Sequence, residues 1–420
     1  MQPFLIKGDR PGEDPIFALN QEASQRIARG ESIVNATIGV LLDDKGALAI
    51  LPAAARAVRD VKAEDWASYA PISGSPEFLE AVMDDLLAGH PAMRAAAVAV
   101  ATPGGTGAIR HAFSTFLEPG QALLTTSFYW GPYAILADEH QRRVVTFEMF
   151  DPSTSQSQLN LEAMDRALGK MLAEQGRALV VINDPCQNPT GYSMNERDWR
   201  TAVESIGRHA ERGPVAVLLD SAYSAYAPRG VKIALGALES LLGRALLLVA
   251  WSASKTFTHY GMRVGSLVAL LPDASERRRA QAALGYASRG TWSNCNHGGM
   301  AAVTRLLREP ALAADVARER ADLVTLLDQR VATFNELARA KGLRYPRYDG
   351  GFFVTVFVDD DPGKSARESA VAAAQKMKAD GVFVVPVNGA LRVALCAVPA
   401  TSIPRVVDSL AKACVPARHV

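Results

Sequence analysis

Lys255 is the residue whose surroundings restrict its chemistry most. It follows an apolar run that starts at Leu246 and closes the segment Trp251-Ser252-Ala253-Ser254-Lys255, with Arg263 eight residues beyond. A lysine at the carboxyl end of a strand faces the crevice where α/β folds bind ligands. Partial desolvation and nearby cations there favour the neutral amine, the form that attacks an aldehyde. Read alone, it is a solvated lysine closing a strand. Asp220 changes that reading, because it ends the apolar run Val215-Ala216-Val217-Leu218-Leu219. A carboxylate in that position can pair with a protonated heteroaromatic nitrogen, and Tyr223, three residues on, can donate to an oxygen of the same ring. The plain alternative is an Asp opening a turn with a Tyr packed beside it.

A seat for phosphate lies earlier in the chain. Thr102-Pro103-Gly104-Gly105-Thr106-Gly107 joins a strand to a helix expected to begin near Ala108, so that free backbone N–H groups and the positive helix end face the crevice. Gly105-Thr106-Gly107-Ala108-Ile109-Arg110 puts arginine where a dinucleotide motif needs a third small residue, which favours a monophosphate. Ser252, Ser254 and Arg263 add hydroxyls and a fork-shaped cation for the same group. Asn188, in Asn188-Pro189-Thr190-Gly191, reads either as turn punctuation or as an amide donating to the oxygen that Tyr223 serves. Trp130 reads either as core or as a ring stacked on a ligand. An imine-forming amine, an acid for a ring nitrogen and a monophosphate seat together describe pyridoxal 5'-phosphate (PLP), held as a Schiff base on Lys255. Arg392, inside the apolar run Leu391–Cys396, needs an anion. That anion is a substrate carboxylate in the functional reading and a structural Asp or Glu in the other.

These residues need a scaffold of strand ends. From about Val98 to Leu271, short apolar runs alternate with amphipathic stretches, the pattern of a mostly parallel α/β sheet between helices. Seven strands are expected: Ala97–Ala101, Ala122–Thr125, Val144–Phe147, Ala178–Asn183, Val215–Asp220, Ala245–Trp251 and Ser266–Leu271. Helical spacing follows over Glu276–Ser288, Met300–Leu307 and Pro310–Lys341, and a smaller α/β unit completes the chain. At 420 residues two domains are expected. The boundaries read as 1–47 for an N-terminal arm and part of the small domain, 48–309 for the large PLP-binding domain, and 310–420 for a linking helix and the small C-terminal domain.

A formal charge of +1 gives no footprint for nucleic acid or an anionic membrane. The four scattered cysteines indicate neither a disulfide framework nor a metal site, and a cytoplasmic location is expected. Met1–Lys7 is too short and too quickly charged for a signal peptide. Two rival classes fail on detail. Ser252-x-x-Lys255 fits the pattern of serine acyl enzymes, but no K-T-G element accompanies it. Gly363-Lys364-Ser365 imitates a P-loop, but Val358 stands where its first glycine belongs. A PLP-dependent β-lyase or decarboxylase of the same fold stays open, since it shares the lysine, the acid and the phosphate seat.

In order and spacing, these motifs resemble the class I aminotransferases of PLP fold type I, closest to the aspartate and aromatic branch. The resemblance runs from Asp14-Pro15-Ile16 through Tyr69 and Gly74-x-Pro76-Glu77-Phe78 to the Arg392 strand. It implies a homodimer with shared active sites, transferring an amino group from an L-amino acid (aspartate, glutamate or aromatic) to a 2-oxo acid such as 2-oxoglutarate. It implies further that Tyr69 reaches the cofactor phosphate of the other subunit. Gly39 would lie beside the substrate carboxylate, and Arg289 would cross the interface to a distal carboxylate. Three departures stand out. Pro132-Tyr133 replaces an Asn-His pair whose His touches the cofactor-binding Asp, Cys295-Asn296 replaces two prolines near Arg289, and Gln187 stands in a segment where histidine is common.

Overall fold

The structure is a computed structural model that describes residues 12, 14–151, 158–359 and 363–414. Met1–Lys7 lies outside them. Contacts divide the chain into two units, one made of Ala49–Asp328 with Pro346–Phe352, the other of the segment up to Leu48, Gln329–Tyr345 and the chain from Phe353 onward. The sequence reading places a boundary at 309/310, whereas the division falls inside the 31-residue helix Pro310–Ala340. The reason is that its two halves bond differently. Glu319 and Arg320 bond Ala53 N and Thr256 O in the larger unit, while Arg330 bonds Leu42 O and Cys396 O in the smaller.

The larger unit is built on a seven-stranded sheet. Its spatial order is Ala97–Pro103, Val264–Leu270, Leu246–Ser252, Val215–Asp220, Ala178–Asn183, Ala122–Thr126 and Arg143–Phe147. Only Val264–Leu270 runs antiparallel to its neighbours. Central strands are apolar throughout because helices cover both faces, and every residue of Val215–Asp220 is buried. Burying a side chain such as Leu218 or Val249 fully contributes roughly 1.5–3 kcal/mol. With those faces fixed, only the strand ends are left to carry polar side chains into a cleft.

The smaller unit pairs Val34–Asn35 with Val382–Phe383 and carries a three-stranded antiparallel sheet of Val385–Val387, Ala390–Val393 and Val354–Phe357. The expected strand Leu391–Cys396 stops at Val393, and Leu395–Ala397 forms a single 3-10 turn. Among the described residues, no helix is long and apolar enough to cross a membrane.

Candidate active site

Parallel register decides which side chains meet at the acid end. Asn183 lies opposite Asp220 and Asp220 opposite Ala250, so two neighbouring strands finish together and the third runs two residues further, to Ser252, before Lys255. Asp220 is only 5% exposed. Its Oδ2 accepts a 2.5 Å hydrogen bond from the Tyr133 hydroxyl, and its Oδ1 accepts from Ala222 N at 3.3 Å. Burial pushes the Asp220 carboxyl upward, while the Tyr133 hydrogen bond, the Ala222 N–H and the Lys255 charge pull the other way. Asn183 Nδ2 donates to Asp220 O, and Asn183 Oδ1 accepts from Asn188 N. Asn188 Nδ2 then donates to the Tyr223 hydroxyl at 3.4 Å. The half-buried Lys255 has its Nζ 5.8 Å from the centre of the Tyr223 ring and 5.0 Å from that of Tyr260.

The phosphate seat corrects one expectation. The strand runs to Pro103 and the helix begins at Gly104, so Gly105 and Thr106 lie in its first turn rather than in a loop ahead of Ala108. Gly104 makes the switch in one residue at φ +71°, where L side chains are strained, and an added Cβ would lie 2.6 Å from Arg263 Nη2. A Cβ on Gly265 would run into the Gly104 backbone, so the antiparallel strand must also be bare there. Arg263 sits at φ +53°, a conformation a non-glycine residue rarely holds without a purpose. Its Nη1 donates to Ser254 Oγ at 3.2 Å and to Tyr260 O at 3.0 Å. Ser252 Oγ accepts from Ser254 N and abuts the Gly105 position. Thus the open N–H groups of the Gly104–Phe116 helix, two hydroxyls and one guanidinium converge on one spot.

Around the acid, Trp130 is half-buried with its ring edge-on to Tyr133 at 5.7 Å. The Gln187 departure has a local cause. Its Nε2 donates to Phe128 O, and its Oε1 accepts from both Thr190 N and Thr190 Oγ1, which fixes the Asn188 turn. Asn296 takes over the cap of the next helix, its Oδ1 accepting from Gly299 N and its Nδ2 donating to Met262 O. Arg289 ends the helix Ala274–Arg289, exposed to solvent, and its Nη1 donates to Ser293 Oγ at 2.6 Å. Tyr69 is 89% exposed.

In the smaller unit, Arg392 is 6% exposed, donates from Nη2 to Thr37 O at 2.5 Å and lies 4.6 Å over the Phe353 ring. A Cβ on Gly39 would collide with that same ring. Arg330, which the sequence reading passed over, shows what a structural arginine looks like here. It is fully buried, and it donates to two carbonyls and to Asp44 Oδ1.

The donor set fits PLP group by group. A cradle floored by glycine and closed by Arg263 and Ser254 suits the phosphate, and a buried carboxylate suits the ring nitrogen. The Tyr223–Asn188 pair suits the phenolic oxygen, and a half-buried amine suits the aldehyde. The family described as aminotransferase class I and II matches residues 31–410. The chain belongs to that family. It is a PLP-dependent transaminase with the α/β fold of that family. Among relatives, the aromatic-amino-acid aminotransferase of Paracoccus denitrificans is 27% identical over 84% of this chain and 89% of its own length. The aspartate aminotransferase of Pseudomonas aeruginosa is 26% identical over 77% of this chain and 80% of its own. A crystal structure of an aminotransferase from Anaerococcus prevotii superposes with a TM-score of 0.90 at 29% identity, covering 99% of this chain and 100% of that one. The aromatic-amino-acid aminotransferase of Burkholderia pseudomallei, solved covalently bound to pyridoxal phosphate, shares the fold at a TM-score of 0.78 and 22% identity, covering 98% of this chain and 100% of that one.

Tyr133 is the residue that sequence reasoning undervalued. The resemblance marks its position only as a departure, Pro132-Tyr133 standing where an Asn-His pair is expected. The hydrogen bond itself spans 87 positions of sequence and no local pattern announces it.

Proposed function

We propose that this aminotransferase takes aspartate, glutamate or an aromatic L-amino acid as donor and a 2-oxo acid such as 2-oxoglutarate as acceptor, in ping-pong order, as a cytoplasmic homodimer with shared sites. The observation that carries the reading is the convergence of Lys255, Asp220, Tyr223 and Asn188 beside a glycine-floored seat closed by Ser254 and Arg263. Bound PLP supplies an electron sink conjugated to the substrate α-carbon.

Lys255 would hold PLP at its aldehyde carbon and, as a free amine, would move the proton on and off the substrate α-carbon. Asp220 holds the positive charge of the ring nitrogen, while Tyr223 and Asn188 hold the phenolic oxygen. Gly104, Gly105, Thr106, Ser252, Ser254 and Arg263 hold the phosphate, joined by Tyr69 of a second copy. Trp130 stacks on the ring. Gly39 and Arg392 take the substrate α-carboxylate, and Arg289 of a second copy takes a distal carboxylate. Support for the second copy comes from exposed apolar area, since Trp66, Tyr69 and Tyr286 are 66%, 89% and 84% exposed.

A panel of amino donors assayed against 2-oxoglutarate tests the substrates, with keto-acid formation expected for dicarboxylic and aromatic donors. No turnover with either class would overturn the assignment. Sedimentation of the holoenzyme tests the dimer, and a monomer that turns over at full rate would remove the shared site.

A further inference from the structure

Tyr133 follows Pro132 in the first turn of the helix Pro132–Glu139 and is 1% exposed. Its ring is fixed on three sides: edge-on to Phe113 at 6.1 Å, edge-on to Trp130 at 5.7 Å and parallel to Tyr129 at 6.3 Å. So clamped, the phenol directs its one proton at Asp220 Oδ2 over 2.5 Å. A hydrogen bond that short to a buried oxygen favours the ionised form of the carboxyl.

We propose that Tyr133 is a positioning residue that keeps Asp220 a carboxylate, and thereby keeps the shared proton on the ring nitrogen of the cofactor instead of on the acid. The inference rests on the PLP reading of the site and deepens it. An acid and a pyridine nitrogen sharing one proton have two arrangements of equal net charge, carboxylate with pyridinium or carboxylic acid with pyridine. Only the first makes the ring a strong electron sink. Burial disfavours the charged pair by raising the proton affinity of Asp220, and among the opposing groups the Tyr133 phenol comes first. That phenol stays protonated, because burial and then the Asp220 charge push its own ionisation well above the ordinary tyrosine range. The acid is therefore supported by a neutral donor that brings no charge of its own.

Tyr133→Phe keeps the ring and removes the donor. In the holoenzyme reconstituted with PLP labelled with ¹⁵N in the ring, the nitrogen resonance should move from the pyridinium toward the neutral position. The kcat should fall about tenfold, the lower end of what a hydrogen bond to a charged group contributes. KM for the donor should change less than about twofold, since the lost contact touches no substrate. Tyr133→His should restore most of both signals, which a purely packing role would not allow. Should Tyr133→Phe fold poorly, 4-aminophenylalanine at position 133 keeps the ring with a weaker N–H donor and should move the resonance the same way by a smaller step. An unmoved nitrogen resonance in a PLP-loaded Tyr133→Phe or aminophenylalanine protein overturns the inference. Failure of the wild-type chain to bind PLP would instead overturn the functional reading beneath it.

Discussion

The acid end of the cleft and the Arg289 turn are built on opposite terms. Asp220 at a strand end, Tyr133 at the start of a helix and Asn188 in a turn are almost wholly buried, each held by a side-chain hydrogen bond. Arg289 closes its helix in solvent, its guanidinium bonded to the Ser293 hydroxyl. The contrast separates two tasks. Stabilising charge on a ring needs fixed dipoles in a dry place, where they are strong and need not reorganise. Choosing among side chains needs a cation that can be reached from outside, and an exposed arginine can be replaced without disturbing the core. Substitutions at the dry end should therefore harm every substrate alike, and those at the turn should divide substrates into classes.

The largest expected effect is at Lys255. Lys255→Ala should lose turnover with all donors, and borohydride should no longer attach a pyridoxyl group to the chain, as mass spectrometry of the peptides would show. Retained activity in that variant would break the mechanism. Next, Asp220→Asn should lower kcat roughly a hundredfold or more, as removal of a charge-stabilising group does, with the same ratio for aspartate and for phenylalanine. A loss confined to one donor class would blur the contrast between the regions. Arg289→Leu should reduce kcat/KM for dicarboxylic substrates by about ten- to a hundredfold while leaving aromatic donors within about twofold. Equal losses for both classes would remove Arg289 from substrate choice. The smallest effect belongs to Ser293→Ala, which frees Arg289 and should cost dicarboxylic substrates about two- to threefold, in keeping with one solvent-exposed hydrogen bond.

Much of this site is visible in the residues alone because strand ends announce themselves. An apolar run that stops at Asp220 or leads into Lys255 leaves the polar residue only one outlet, the cleft beyond the sheet. Boundaries were harder where one residue changes the geometry. Gly104 ends the strand and starts the helix at once, which the expected loop up to Ala108 did not foresee, because a left-handed glycine turns the chain without needing intervening residues. The long helix Pro310–Ala340 likewise reads as one element, and its sharing between two units depends on what Glu319 and Arg330 each find to bond.

Composition, apolar periodicity and the order of short polar motifs were sufficient to define an α/β chain with an amine, an acid and a phosphate seat at its strand ends. Each of those signals lies within a few residues, where backbone geometry fixes side-chain direction. Tertiary structure alone decided that Tyr133 serves Asp220, that Gly265 must be bare to let the Gly104 turn approach, and that Arg330 is a structural cation while Arg392 lies over Phe353. Those pairings join residues far apart in the chain, and which ones meet depends on how crossover helices return each strand to the sheet.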